Sequence, residues 1–294
     1  MMTTLLQLAL NGVLEGAVYG LLALGLTLVF GVMRIMNISH GDFGIFGAYI
    51  SYWFLVKFGV DPFISLTIIV PLLFLLGLLV QRVLISPAIS DPSLQVQASV
   101  MITWGLALLI SNGEIILWSP DYRSIIVPYS YVSFYLSGIV INLPRVLVLL
   151  SAVLITGFYV LFLRTKVGKA ISACTQDREA AVLMGVNFNK LAGITFGIST
   201  ATAAISGMLF ALTHTLYPAL GFQLNLKALT VMVFGGIGSM SGALIGGLVL
   251  GMAESIVSFF IGATYKDLVS FLLLVAILLT KPTGIRGKEF FLPR

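Results

Sequence analysis

The run Asn37-Ile38-Ser39-His40-Gly41-Asp42 puts hydrogen-bonding side chains, an imidazole and a carboxyl into an otherwise apolar stretch. In lipid such groups are expensive unless they face a cavity or another helix. Two chemistries fit. Either the cluster lines or gates a polar path, or it closes the ends of a broken helix, with Asn37 and Ser39 taking up backbone groups and Asp42 balancing Arg34. Glu254, in the middle of an apolar segment, poses the same choice between proton coupling, a polar wall, and a hydrogen bond to a neighbouring helix. Glu15 and Glu114 fall near segment ends and His214 near an outer boundary, where structural roles suffice.

Two further signals are made by spacing. Gly235-Gly236-Ile237-Gly238-Ser239 reads as a flexible break, because clustered glycines favour a turn over a packed face. It is no phosphate loop, since neither Lys-Ser nor Lys-Thr follows at the required distance. Gly12, Gly16 and Gly20 recur every four residues, as do Gly242 with Gly246 and Gly247 with Gly251, the pattern of closely packed membrane helices. The run Asp177-Arg178-Glu179-Ala180-Ala181, ending at Gly185, predicts a short helix with Asp177 as its N-cap and Gly185 as its stop. Its mixed apolar and charged surface suits docking into a groove on another protein; an ordinary solvated loop is the plainer alternative.

The elements that position these groups follow from composition. Of 294 residues 59% are hydrophobic and 9% charged, and the mean hydropathy is +1.09. A soluble domain carries about 25% charged residues, so a soluble enzyme is excluded and a polytopic, all-α transmembrane bundle is expected. Strong spans are predicted at 5–32, 62–80, 98–118, 144–163, 191–216 and 243–261, and weaker ones at 43–56, 224–234 and 268–280. The weak pieces are short and flanked by glycine or polar residues, as in discontinuous helices. The first span lacks the basic start of a secretory signal and reads as retained.

The formal charge of +5 reports orientation, with no nucleic acid as partner. With 164–190 cytoplasmic, 11 of the 16 basic residues share its side: Arg34, Arg82, Arg164, Lys166, Lys169, Arg178, Lys190, Lys281, Arg286, Lys288 and Arg294. Lys57, Arg123, Arg145, Lys227 and Lys266 fall opposite. This bias favours nine crossings with the C-terminus cytoplasmic; eight follow if one short piece is re-entrant. Residues 1–294 read as one transmembrane domain, with 119–143 an extracytoplasmic loop that has room for short strands. Cys174 stands alone, which excludes an internal disulfide, and no His/Cys cluster has metal-ligand spacing. Residues 28–31 and 39–50 resemble 232–235 and 239–250, a candidate internal repeat of helix, break and glycine-rich helix.

These motifs together resemble the integral-membrane permease of bacterial branched-chain amino acid ABC importers, the leucine-type high-affinity system. The likeness is carried by Asn37-Ile-Ser-His40-Gly41-Asp42 with Gly47-Ala48-Tyr49, by Asp177 to Ala181 with Gly185-Val-Asn187, and by Lys227-Ala-Leu-Thr with Gly235 to Ser239. Tyr265-Lys266-Asp267 and Lys281-Pro282-Thr283-Gly284-Ile285 also fit. Glu179-Ala180-Ala181 and Gly185 match the first half of the ATPase-docking pattern of ABC permeases, whereas Thr195 to Ile198 depart from its second half.

The resemblance implies a subunit in the bacterial cytoplasmic membrane that forms the path for neutral amino acids by alternating access. It implies a second permease, two ATPases and an extracytoplasmic binding protein, with ATP and Mg held by the ATPases and no cofactor on this chain. Asn37, Ser39, His40, Asp42, Gly235, Gly236, Gly238, Ser239 and Glu254 are then the candidate path or gate, and Asp177, Arg178, Glu179, Ala180, Ala181 and Gly185 the coupling segment. The rivals are a stand-alone proton-coupled transporter using His40, Asp42 or Glu254, and a channel for a small neutral solute.

Overall fold

Apolar runs this long, with backbone groups that lipid cannot satisfy, have one local solution, and the chain takes it. The computed structural model describes residues 2–89, 94–136, 138–281 and 283–286; Lys288, Arg294 and Pro282 lie outside them. The elements are α1 (Met2–Met33), α2 (His40–Phe58), α3 (Pro62–Val80), α4 (Ser86–Ala88), α5 (Gln95–Trp118), α6 (Leu143–Leu163), α7 (Lys166–Gln176), α8 (Arg178–Leu183), α9 (Phe188–Ala211), α10 (Leu220–Gly235), α11 (Met240–Phe260) and α12 (Lys266–Thr280). A π-helical turn, Gln81–Ile85, joins α3 to α4.

Local chemistry explains the boundaries. Gly59, left-handed at φ 66°, stops α2, and Asp61 accepts from the Phe63 N–H at 2.9 Å to start α3 with Pro62 in its first turn. In the outer loop β1 (Ser133–Leu136) pairs antiparallel with β2 (Ile139–Asn142), so the strands expected there are present. The loop is pinned to the bundle by the Tyr129 hydroxyl, which donates to Asp61 at 3.0 Å; burial, and then that carboxylate, push the phenol above its usual range. A bridge between Arg123 and Leu216 fastens the loop a second time.

Seven helices among the described residues are long and apolar enough to cross a membrane: α1, α3 with its extension, α5, α6, α9, α11 and α12. Helix α10 is shorter, and α2 carries His40, Asp42 and Lys57, so the two fall outside that set. Helices α1 and α9 form the interior, with 94% and 83% of their most apolar stretches buried, while α12 has 6% and lies at the periphery.

The glycine lanes act as predicted. A Cβ on Gly12 would lie 2.6 Å from Met252 Cα, and one on Gly16 2.8 Å from Leu248 Cα. Gly247 and Gly251 press back on Gly20 and Gly16, so α1 and α11 run antiparallel at backbone contact.

The packing has an exchange pattern, and it falls in a different register from the expected repeat. Helix α1 packs along α11 as α9 packs along α3; α2 lies on α9 as α10 lies on α1; α1 meets α9 and α2 meets α10. Exchanging α1 with α9, α2 with α10 and α3 with α11 leaves this set of neighbours unchanged. The matching units are thus α1–α2–α3 and α9–α10–α11, whereas the motif similarity paired α1–α2 with α10–α11. The two units meet where Gly41 of α2 lies against the Gly221 carbonyl of α10.

Candidate functional site

Between α1 and α2 the chain leaves helical geometry for residues 34–39, turning at Arg34 with φ 52°. This extended piece satisfies only part of its own backbone, the Arg34 N–H on the Phe30 carbonyl and the Ser39 N–H on Asn37, and in lipid each group left free costs several kcal/mol. Helix α5 supplies the partners from one face. Gln95 donates to the Met33 carbonyl, Ser99 accepts from the Met36 N–H at 3.2 Å, and Thr103 accepts from the Ile38 N–H at 3.1 Å. These three residues, four apart, form a polar ladder that the sequence reading missed; a period-four polar stripe on an apolar span was its signal. Thr103→Val should cost about 1–3 kcal/mol by orphaning the Ile38 amide. A lowered melting temperature in detergent checks this, and an unchanged one would mean the amide has another partner.

Within the break, Asn37 accepts from the Ser39 N–H at 3.1 Å and from its hydroxyl at 2.8 Å. His40 opens α2 fully buried, with Nε2 at 2.9 Å from the Leu22 carbonyl and Nδ1 at 3.3 Å from the Ser199 hydroxyl. A carbonyl only accepts, so Nε2 carries the hydrogen and Nδ1 accepts. His40 therefore ties α2 to α1 and α9.

Asp42, 3% exposed, leaves α2 against Gly221, and its Oδ2 has no partner. Asn225, one turn further along α10, lies beside Gly41 with both amide atoms unpartnered. Asn37, Ser39, His40 and Asp42 thus form one polar centre at the junction of α1, α2, α5, α9 and α10. Asn225 belongs to it and was not anticipated.

The other predicted residues lie elsewhere. Gly235, Gly236, Gly238 and Ser239 make the tight turn from α10 to α11, with φ 105° at Gly236 and 78° at Gly238, and Ser239 caps α11 by accepting from the Gly242 N–H at 3.1 Å. That turn sits by the end of α1, since a Cβ on Gly31 would lie 3.6 Å from Gly238 Cα. The Ile285 N–H donates to the Phe234 carbonyl at 2.9 Å, which fastens the chain after α12 to the same turn.

Glu254 sits in a third place. Fully buried, it accepts from the Tyr19 hydroxyl at 2.8 Å, from Ser270 at 2.7 Å and from the Lys227 ammonium, which also meets Asp267 at 3.1 Å. This corrects the charge count: Lys227 is 5% exposed inside the bundle and reports nothing about an outer loop. An apolar setting forces such a cation and anion together, and here the pair joins α1, α10, α11 and α12. Glu15, in turn, is paired with Lys266 at 2.5 Å.

The coupling segment has the expected caps. The Ala180 N–H donates to Asp177 at 3.0 Å, and Gly185, at φ 91°, ends α8. Arg178 stacks over Phe188 at 3.6 Å. Ala181 differs from expectation: it is 5% exposed and turned inward, whereas Leu183 and Met184 are each 87% exposed. Helix α7 leads inward from this surface, placing Thr175 Cγ2 3.2 Å from a Cβ built on Gly31.

Residues 8–278 match the family described as branched-chain amino acid transport system / permease component. The chain belongs to this permease family. It is 33% identical to the high-affinity branched-chain amino acid transport system permease protein BraD of Pseudomonas aeruginosa, over 96% of each chain. It is 32% identical to the corresponding permease protein LivH of Escherichia coli K12, again over 96% of each, and 30% identical to a probable LivH of Methanocaldococcus jannaschii over 95% of this chain and 93% of that one. No solved structure matches. Family and fold together make the protein a multi-pass membrane permease component of an importer, and not a catalytic enzyme.

Proposed function

We propose that this permease is one of two membrane subunits of an ATP-driven importer for branched-chain amino acids, working with two ATPases and an extracytoplasmic binding protein. The observation that carries the reading is α8. It is a capped helix whose apolar end, Leu183 and Met184, projects from the bundle with 87% of each residue exposed. Exposed apolar surface of this kind marks an interaction site, and a groove on an ATPase is the partner it fits. ATP and Mg then belong to the ATPases, and the chain end beyond α12 lies on the cytoplasmic side with α8. Nine crossings follow once α2 and α10 are counted, all within one domain.

Coupling has a continuous route. A shift of α8 moves α7, and Thr175 of α7 bears on Gly31 at the end of α1 beside the Gly236–Gly238 turn. Both helix breaks are thereby linked to one contact. The break at 34–39 leads to Asn37, Ser39, His40 and Asp42, which form the gate. The second permease lies along the outer face of α5, where Gly105 and Gly113 have nothing within 4 Å of a built Cβ; a membrane helix keeps such open glycines for close approach by another helix. The commitment of His40 and Glu254 to fixed partners weighs against a proton relay.

The test is purification of the natively expressed chain. An ATPase should co-purify, and its hydrolysis should rise when binding protein loaded with leucine is added. Purified chain that carries no ATPase, or that takes up leucine alone under a pH gradient, overturns the reading.

A further inference from the structure

A cavity of about 480 Å³ opens between the outer loop, the start of α6 and the end of α9. Small-molecule sites run from roughly 300 to 1,000 Å³, so it has room for an amino acid. Part of its wall is apolar, made by Ile125, Ile126, Ala211 and Leu212. The rest is polar, and among the described residues that line it Arg145 alone carries a fixed charge.

Arg145 is held in place without being neutralised. It donates to the Asn11 amide oxygen at 2.7 Å, and no carboxylate among the described residues pairs with it. Its planar fork of five N–H donors matches the two oxygens of a carboxylate. Helix α6 adds its positive end to the same space. Asn142 and Pro144 line it, and the Asn142 side chain makes no capping bond to the helix.

Behind this cavity lies a second one of about 10 Å³, room for a single water, between α1, α6 and α9. Arg145, Thr213 and His214 wall both, so the two stand back to back. Glu15 lines the inner one and is taken by Lys266 at 2.5 Å. Helix α9 runs on from Ala211 to the polar centre, where Ser199 meets His40 about 18 Å further along.

We propose that the larger cavity is an entry vestibule for the amino acid, in which Arg145 takes its carboxylate and the wall of Ile125, Ile126 and Leu212 its branched side chain. The rim hydroxyls of Ser124, Ser130 and Thr215 are neutral acceptors for the ammonium group. The assignment rests on the importer reading above and gives its path an entrance with a chemical preference.

The test uses the complete importer in proteoliposomes, with ATP enclosed and leucine-loaded binding protein outside. The outer solution also receives 4-methylpentanoate, which is leucine without its ammonium, or 3-methylbutylamine, which is leucine without its carboxylate. Each is kept below the level that displaces leucine from the isolated binding protein. The acid should inhibit leucine uptake and the amine should not. Arg145→Gln should lower uptake at saturating binding protein at least about tenfold and abolish inhibition by the acid, while Arg145→Lys should retain part of both. Asn11→Ala removes the tether and leaves the charge, so inhibition should survive it. Thr215→Asp puts a carboxylate on the exposed rim and should weaken inhibition by the acid; it decides in place of Arg145→Gln should that variant fail to assemble.

Equal effects of acid and amine, or acid inhibition that persists undiminished in Arg145→Gln or Thr215→Asp, would overturn the vestibule. So would a defect in Arg145→Gln that more binding protein repairs, which would assign Arg145 to docking. Loss of inhibition in Asn11→Ala would overturn it too, by making the Arg145–Asn11 bond a structural tie. A wild-type importer without any ATP-driven uptake overturns the importer reading itself, and is told apart because it precedes any competitor or substitution.

Discussion

Lys227→Met should destabilise the folded permease by about 3–5 kcal/mol, because it leaves the Glu254 carboxyl fully buried and without its cation. The Tyr19 and Ser270 hydroxyls would still donate to that carboxylate, but hydroxyl dipoles do not replace a positive charge in a low-dielectric interior. Four helices meet at the cluster, so the loss spreads to the packing of α10 and α12 on the core. The measurement is thermal unfolding in detergent with the single variants Lys227→Met and Glu254→Leu and the double variant. The double should recover most of the loss, because a neutral pair of similar volume has no charge to solvate. Equal losses in the double and in Lys227→Met would refute a charge origin and point to packing alone.

Charging the exposed tip of α8 should have an equally large effect on coupling and little on folding. Leu183→Asp with Met184→Asp places two carboxylates on side chains that are each 87% exposed and touch little of the bundle. Two central apolar anchors of an interface are together worth at least about 2 kcal/mol, roughly a thirtyfold loss of affinity. ATPase recovery with the purified permease and leucine uptake should both fall by at least about tenfold, with membrane insertion unchanged. Uptake at the wild-type rate would show that α8 is a solvated connector. Ala181→Asp is the wrong probe, because Ala181 is buried and its loss would confuse folding with docking.

Much of this arrangement was legible from residue patterns, and the gaps have physical reasons. Glycines every four residues foretold the α1–α11 contact, since only backbone approach makes that spacing worthwhile. Asp177 and Gly185 foretold the ends of α8, because caps are local. The partners of the 34–39 break were not foreseen, as Gln95, Ser99 and Thr103 lie some sixty residues away and only packing brings them to it. Lys227 was misplaced because charge counting assumes that a basic residue beside a short helix is wet, and a buried partner breaks that assumption. Glu114 near the end of α5 looked solvated for the same reason; Trp118, stacked on Tyr49 at 4.9 Å, closes over that end.

The exchange symmetry between α1–α2–α3 and α9–α10–α11 bears on how such a chain could have arisen. Because α1 and α11 run antiparallel and successive helices reverse direction, the second unit runs in the opposite sense to the first, and a common ancestor of the two would have to be at home in either orientation. A segment can do that only if its basic residues give the insertion machinery no strong instruction. The present units still have that character: residues 2–88 hold Arg34, Lys57 and Arg82, and residues 188–260 hold Lys190 and Lys227, the latter neutralised inside the bundle. On the proposed orientation, the stretch between them that contains Arg164, Lys166, Lys169 and Arg178 would be the part that fixes direction. The segment that offers α8 to a partner would then also have settled which way up two indifferent halves should stand.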